Sequence, residues 1–163
     1  MTTEILSTMA ARTTIDDLLA QARAGLVRVG PHEAQDAISG GALLIDIRSE
    51  SQRAADGIVP DAIWFARNAL EWRCDPSCEA HDDRVGGLER RLIVMCDEGY
   101  QSSLAAATLQ QLGFGSATDL VGGFSSLARR RPASRAGLTS RAAGWWCCAL
   151  APAGGPGRRR ELT

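Results

Sequence analysis

Short apolar runs that alternate with helical segments constrain the fold of this chain more than any other feature of its sequence. Residues 42–47 and 92–95 are nearly continuous apolar stretches, which is typical of strands buried on both faces of a sheet. Shorter strands are predicted at 26–29, 63–66 and 117–121, and the helices predicted around them cover 15–24, 31–39, 102–112 and 124–128. This alternation predicts an α/β fold with a small, open, mainly parallel five-stranded sheet flanked by helices.

The charge distribution divides the 163 residues into a core region and a tail. Residues 1–128 carry 10 Arg and 18 acidic residues, whereas residues 129–163 carry 8 Arg and a single Glu. We therefore predict a helical extension at 1–25, one domain at 26–128 and an irregular basic tail at 129–163. The tail is rich in Arg, Ala, Gly and Pro, which favours a disordered segment over one that binds nucleic acid. A shifted reading frame in a GC-rich gene is a third explanation of this composition.

The sequence gives no sign of export, membrane insertion or a metal site. No stretch approaches the roughly 18 apolar residues of a transmembrane helix, and the first residues do not resemble a signal peptide, so we expect a cytoplasmic protein. Five cysteines without an export signal argue against structural disulfides, including one between the adjacent Cys147 and Cys148. Cys74, Cys78 and His81 lack a clear fourth zinc ligand, so we predict no metal there.

Cys96 is the residue best placed for chemistry. It follows the apolar run 92–95 and precedes a predicted helix by a short loop that contains Gly99. In open α/β sheets, ligands bind beyond the carboxyl ends of the strands. Backbone N–H groups that converge at a helix start stabilise an anion and favour a thiolate over a thiol. The position alone leaves a second reading open, in which Cys96 only ends a buried strand.

Five segments, in the same order and spacing, resemble the rhodanese-like sulfurtransferase family over residues 26–128. They are Leu26 to Ala34, the "L-I-D-I-R" strand Leu44 to Arg48, the "G-I-V-P-D-A" segment Gly57 to Ala62, the loop Cys96 to Ser102 that is similar to "C-x-x-G-x-R-S", and the closing turn Val121 to Phe124.

The resemblance implies a covalent mechanism that needs no cofactor. Cys96 would take the sulfane sulfur of a donor as a persulfide and pass it to a thiol or to cyanide. The loop of Asp97, Glu98, Gly99, Tyr100, Gln101 and Ser102 would hold the persulfide anion through its N–H groups. The implied partners are a small-molecule or protein sulfur donor and a thiol acceptor, with neither nucleic acid nor membrane. The oligomeric state stays open.

The loop departs from the family pattern in its charge. Gln101 stands where the family has Arg, and Asp97 and Glu98 add two negative charges. One carboxylate about 6 Å from the thiolate costs about 1.4–2.8 kcal/mol at an effective dielectric constant of about 20–40. We therefore expect weak affinity for the dianion thiosulfate, and better use of a neutral, cationic or protein-bound sulfur donor.

Four charged residues are candidate partners of this loop. Arg73 lies in a segment that the resemblance places beside the loop, although a surface pair with Glu71 or a nearby acid is the alternative. Arg67 is a second source of positive charge. Asp46 and Arg48 end a buried strand and are expected to order the neighbouring loops.

Two rival functions are weighed against sulfur transfer. Phosphatases and arsenate reductases with a C-x5-R loop also place a cysteine at a helix start, but they grip an oxyanion with arginine, and Gln101 cannot supply that grip. A catalytically weak or inactive rhodanese-like module used for binding or regulation is the stronger alternative. The acidic loop favours such a module, and the presence of Cys96 opposes it.

Overall fold

Four parallel strands form the sheet of the computed structural model, which describes residues 12–128. Their order in the sheet is β2-β1-β3-β4, and their bounds are Leu43–Asp46 (β1), Ile63–Trp64 (β2), Leu92–Met95 (β3) and Thr118–Asp119 (β4). All three neighbouring pairs are parallel, and Ile45 of β1 lies opposite Ile63 on one side and Val94 on the other. The predicted α/β fold with a parallel sheet is confirmed.

The predicted fifth strand, at 26–29, is reduced to a single bridge between Val29 and Leu120. The Leu26 N–H bonds to the Arg23 carbonyl, which keeps the start of this segment in a turn. Pro31, which has no N–H to donate to a ladder, begins the next helix two residues after Val29. The segment therefore pairs with the sheet only at Val29, and this pairing places Arg28 beside β4.

Six α-helices surround the sheet: Ile15–Ala24 (α1), Pro31–Ser39 (α2), Glu50–Asp56 (α3), Leu70–Cys74 (α4, preceded by a 3-10 turn at Arg67–Ala69), Gln101–Gln111 (α5) and Gly123–Ala128 (α6). Helices α1, α2, α5 and α6 match the predicted helices to within one residue. Thr14 caps α1 through a reciprocal bond with Asp17, as its sequence suggests. The sequence reading missed α3 and α4.

Both faces of the sheet are buried, as the continuous apolar runs predict. Ile45 and Val94 point to one side, where they join Leu109 and Phe114 in a core beneath α5. Leu44, Ile93 and Phe124 are among the residues that pack on the other side, against α2 and α6. Because α5 and α6 cover opposite faces of the sheet, the carboxyl end of β3 lies between the first residues of these two helices.

Helix α1, which lies in the predicted extension at 1–25, packs against α5. The predictions made for the tail at 129–163, including Cys147 and Cys148, lie outside the described residues. Within residues 12–128, no helix is long and apolar enough to cross a membrane.

Candidate active site

Cys96 begins the loop that joins β3 to α5, and its position follows from the parallel sheet. The loop turns sharply at Gly99, whose φ of +82° is accessible to glycine at little cost. A side chain at Gly99 would also come within 2.8 Å of the Gly122 nitrogen. Gly99 therefore lets the loop fold tightly under the first turn of α5 and return its own N–H toward Cys96.

Three groups contact the Cys96 sulfur within hydrogen-bond distance. The Gly99 N–H donates to Sγ at 3.1 Å, and the Ser102 N–H donates to it at 3.4 Å. The Ser102 hydroxyl lies 3.2 Å from Sγ, and its hydrogen serves the sulfur when Cys96 is a thiolate. Cys96 is 5 % exposed and Ser102 is fully buried, so water competes little for these bonds. The arrangement stabilises negative charge on sulfur.

The turn before α6 fixes the other side of the loop. The Phe124 N–H donates to the Cys96 carbonyl at 2.8 Å, and the Ser125 N–H donates to the Asp97 carbonyl at 2.9 Å. This close approach requires Gly123, which has a φ of +53° and whose absent Cβ would lie 2.5 Å from the Cys96 oxygen. The turn at Gly122 and Gly123 thus fixes the backbone of Cys96 and Asp97.

The sequence reading missed a polar network behind the loop. The buried Asp119, at the end of β4, accepts bonds from Ser103 and Arg28, and its Oδ2 lies 3.3 Å from the Ser102 hydroxyl as a second possible acceptor of that hydrogen. Its carboxylate raises the pKa of Arg28, with a further contribution from Cys96. Arg23 of α1 donates to the Gly99 carbonyl at 3.0 Å. These residues come from three segments of the chain, at 23–28, 99–103 and 119, and no single local motif connects them.

The outer face of the loop is acidic and open to solvent. Glu98 and Gln101 are exposed, Tyr100 is 55 % exposed, and Asp97 is half-buried. Neither carboxylate forms a salt bridge with any residue of the described chain. The cation nearest to Tyr100 is Arg23, which stacks 5.4 Å from its ring. A donor approaching from solvent therefore meets uncompensated negative charge.

The candidate charge partners make their polar contacts away from the sulfur. Arg48 donates to Asp46 and to the Gly57 carbonyl, and it stacks 3.6 Å from the Phe124 ring. Both Asp46 and Arg48 are buried. The stacking of Arg48 on Phe124 links the end of β1 to the start of α6. One terminal nitrogen of Arg67 donates to both carboxylate oxygens of Glu71 in α4. Arg73 donates to the Ala80 carbonyl and lies 4.0 Å from Asp82, as a surface arginine would.

Cys74 and Cys78 are free thiols that differ in burial. Cys74 is buried in the core, and burial raises its pKa to about 12. One ring nitrogen of His81 lies within hydrogen-bond distance of the Cys78 carbonyl, and the other lies within hydrogen-bond distance of the Asp83 carboxylate. Across residues 12–128, no group of three or more His, Cys, Asp or Glu side chains is arranged to hold a metal ion.

Comparison with known proteins identifies the family of the chain that carries this loop. Residues 30–130 match the family described as the rhodanese-like domain. The chain is also 30 % identical, over 97 residues, to thiosulfate sulfurtransferase GlpE of Pseudomonas syringae, a match that covers 60 % of this chain and 82 % of the relative. The chain therefore belongs to the rhodanese-like domain family.

Two solved structures share the fold. A Rhodopseudomonas palustris protein of unknown function, described as a possible tyrosine phosphatase, superposes with a TM-score of 0.65 and 23 % identity, covering 72 % of this chain and 90 % of its own. The human single-domain sulfurtransferase TSTD1 gives a TM-score of 0.55 and 24 % identity, covering 64 % of this chain and 97 % of its own. At these identities the likeness defines the fold alone.

Proposed function

We propose that this protein is a sulfurtransferase that carries sulfane sulfur as a persulfide on Cys96. The observation that carries the proposal is the convergence of the Gly99 N–H, the Ser102 N–H and the Ser102 hydroxyl on the Cys96 sulfur. Hydrogen bonds to the charged form favour that form, and the thiolate is the reactive form of cysteine. The 30 % identity to a thiosulfate sulfurtransferase supports the same chemistry.

The reaction consists of two displacements at sulfur. In the first, the Cys96 thiolate attacks the outer sulfur of the donor, the donor's sulfur–sulfur bond breaks, and its electron pair leaves with the remainder, which is sulfite for thiosulfate. In the second, an acceptor thiolate or cyanide attacks the terminal sulfur of the persulfide. The acceptor leaves as a persulfide or as thiocyanate, and the Cys96 thiolate is restored with no added oxidant or reductant.

The exposed acidic face points to a donor that is not a dianion. Asp97 and Glu98 have no ion-pair partner in the described chain, and the loop offers no arginine to offset them. Each carboxylate at about 7 Å repels one negative charge of a donor by about 1 kcal/mol at an effective dielectric constant of about 40. A neutral or cationic persulfide, or a protein persulfide, avoids this cost.

Two persulfides of similar size, whose distal groups carry opposite charges, test the proposal. We expect cysteamine persulfide, which carries an ammonium group, to load Cys96 at least tenfold faster than mercaptopropionate persulfide, which carries a carboxylate, with the difference shrinking at high salt. The double variant Asp97→Asn, Glu98→Gln should bring the two rates together. The matched control, Glu79→Gln with Asp83→Asn, removes two charges from another exposed loop and should leave the ratio unchanged. Equal rates in wild type would contradict the proposed donor class.

A binding or regulatory module without turnover is the second candidate, because the loop lacks the family's arginine and is acidic. Failure of every donor to load folded protein would favour it over sulfur transfer. A phosphatase reading has less support. The expectation that Gln101 replaces the arginine of a C-x5-R loop is wrong by one position, because that arginine falls at Ser102, whose hydroxyl contacts the sulfur instead.

A further inference from the structure

Asp119 is a fully buried carboxylate whose side chain is separated from the Cys96 sulfur only by the Ser102 hydroxyl. Its Oδ2 accepts the Ser103 hydroxyl at 2.8 Å and lies 3.3 Å from the Ser102 hydroxyl, which in turn lies 3.2 Å from Cys96 Sγ. These two contacts in series limit the Sγ–Oδ2 separation to about 6.5 Å, a range in which a full charge has a large effect. A buried carboxylate at that distance disfavours a thiolate unless another charge offsets it.

Arg28 supplies that offsetting charge. Its Nε and one terminal nitrogen bind the two Asp119 oxygens at 2.8 and 2.9 Å, which is a bidentate pair. The terminal nitrogen also donates to the Gly99 carbonyl at 3.2 Å. Gly99 is the residue whose own N–H donates to the Cys96 sulfur. The Val29–Leu120 bridge sets this position, since the Val29 N–H bonds to the Asp119 carbonyl.

The single hydrogen of the Ser102 hydroxyl has two acceptors, Cys96 Sγ and Asp119 Oδ2. Oδ2 already accepts shorter bonds from Arg28 and Ser103, which leaves the Ser102 hydrogen to the sulfur. Without Arg28, the carboxylate would lose a donor and compete for this hydrogen. Hydrogen bonding and net charge thus act in the same direction.

We propose that Arg28 and Asp119 are positioning residues that balance charge behind Cys96, so that Ser102 donates to the thiolate. The proposal deepens the proposed function, because it concerns the nucleophile of the same sulfur-transfer site. It predicts opposite effects from the two partners of one ion pair, which a purely structural role would not produce.

The pH dependence of Cys96 alkylation by iodoacetamide measures the thiolate directly and needs no sulfur transfer. Trypsin, cutting after Arg91 and Arg129, releases a peptide in which Cys96 is the only cysteine, so its modification is read by mass spectrometry. Other charged or titratable groups that surround Cys96 stay constant across the variants: Asp97, Glu98 and Tyr100 of its loop, Arg23 of α1, Arg53 of α3, and Asp46 and Arg48 at the end of β1.

Arg28→Gln removes the charge that offsets the Asp119 carboxylate, which lies at most about 6.5 Å from the sulfur. At an effective dielectric constant of about 40, the unbalanced carboxylate should raise the alkylation midpoint by about one pH unit, a tenfold loss of thiolate at a fixed pH. Asp119→Asn should lower the midpoint, and the double variant should lie close to wild type. Arg28→Lys keeps the charge and should lie nearer to wild type than Arg28→Gln. Asp119→Asn alone still tests the sign if Arg28→Gln does not fold.

The control pair is Arg84 and Asp82, which has the same bidentate geometry on an exposed loop. Arg84→Gln and Asp82→Asn should leave the midpoint unchanged. Shifts of the same sign in Arg28→Gln and Asp119→Asn, or no shift relative to the control variants, would overturn the proposal. Opposite shifts in a protein that accepts no sulfur would support the proposed charge balance while refuting the proposed function.

Discussion

Replacing Ser102 by Ala removes one of the three groups that contact the Cys96 sulfur and leaves the backbone donors in place. The hydroxyl lies 3.2 Å from Sγ in a fully buried position, so water cannot readily replace it. A hydrogen bond to a charged group contributes about 1.5–3 kcal/mol. Since about 1.4 kcal/mol changes a protonation equilibrium tenfold, the midpoint of Cys96 alkylation should rise by about one to two pH units.

Alkylation of the Cys96 peptide across a pH series, on protein whose fold is checked by circular dichroism, measures this shift. Sulfur loading at neutral pH should slow by about tenfold to a hundredfold in the same variant. Ser126→Ala is the matched control, because its hydroxyl bonds to the Gly123 carbonyl at 2.7 Å and does not contact the sulfur. A folded Ser102→Ala protein with the wild-type midpoint would refute the assignment of Ser102 as a thiolate donor.

Three further outcomes follow from the geometry of the loop. At Gly123 the φ is +53° and an added Cβ would lie 2.5 Å from the Cys96 oxygen. Gly123→Ala should therefore lower the free energy of unfolding, measured by urea denaturation, by about 2 kcal/mol or more. Asp97→Asn with Glu98→Gln should raise kcat/KM for thiosulfate by about tenfold or more in steady-state assays at low salt. Cys74 should stay unmodified while native Cys96 is alkylated near neutral pH, because burial raises the pKa of Cys74 to about 12.

Hydrophobic patterning predicts the elements that bury a continuous or periodic apolar surface. Strands β1 and β3 and helix α5 were therefore visible in the sequence. Helix α3 buries none of its residues, so no apolar period marks it. Its one local signal is the cap at Ser49, which exchanges hydrogen bonds with Gln52. The cap indicates where a helix can begin, and only the packed structure shows that it forms.

The site divides in the same way between local and distant residues. Cys96, Gly99 and Ser102 lie in one short loop, and their spacing indicated that they could meet around one sulfur. Arg28 and Asp119 are 91 residues apart in sequence and meet only because Val29 pairs with Leu120. Without the register of that bridge, the sequence cannot distinguish Arg28 from the other surface arginines.

The intact mass of the protein after incubation with sulfur donors tests the central claim most directly. Thiosulfate and a cationic persulfide should be compared on wild type and on Cys96→Ala, with both proteins shown to be folded. We expect wild type to gain one sulfur, about 32 Da, with the persulfide more readily than with thiosulfate, and Cys96→Ala to gain none. No gain in wild type with any donor, or an equal gain in Cys96→Ala, would contradict a persulfide on Cys96.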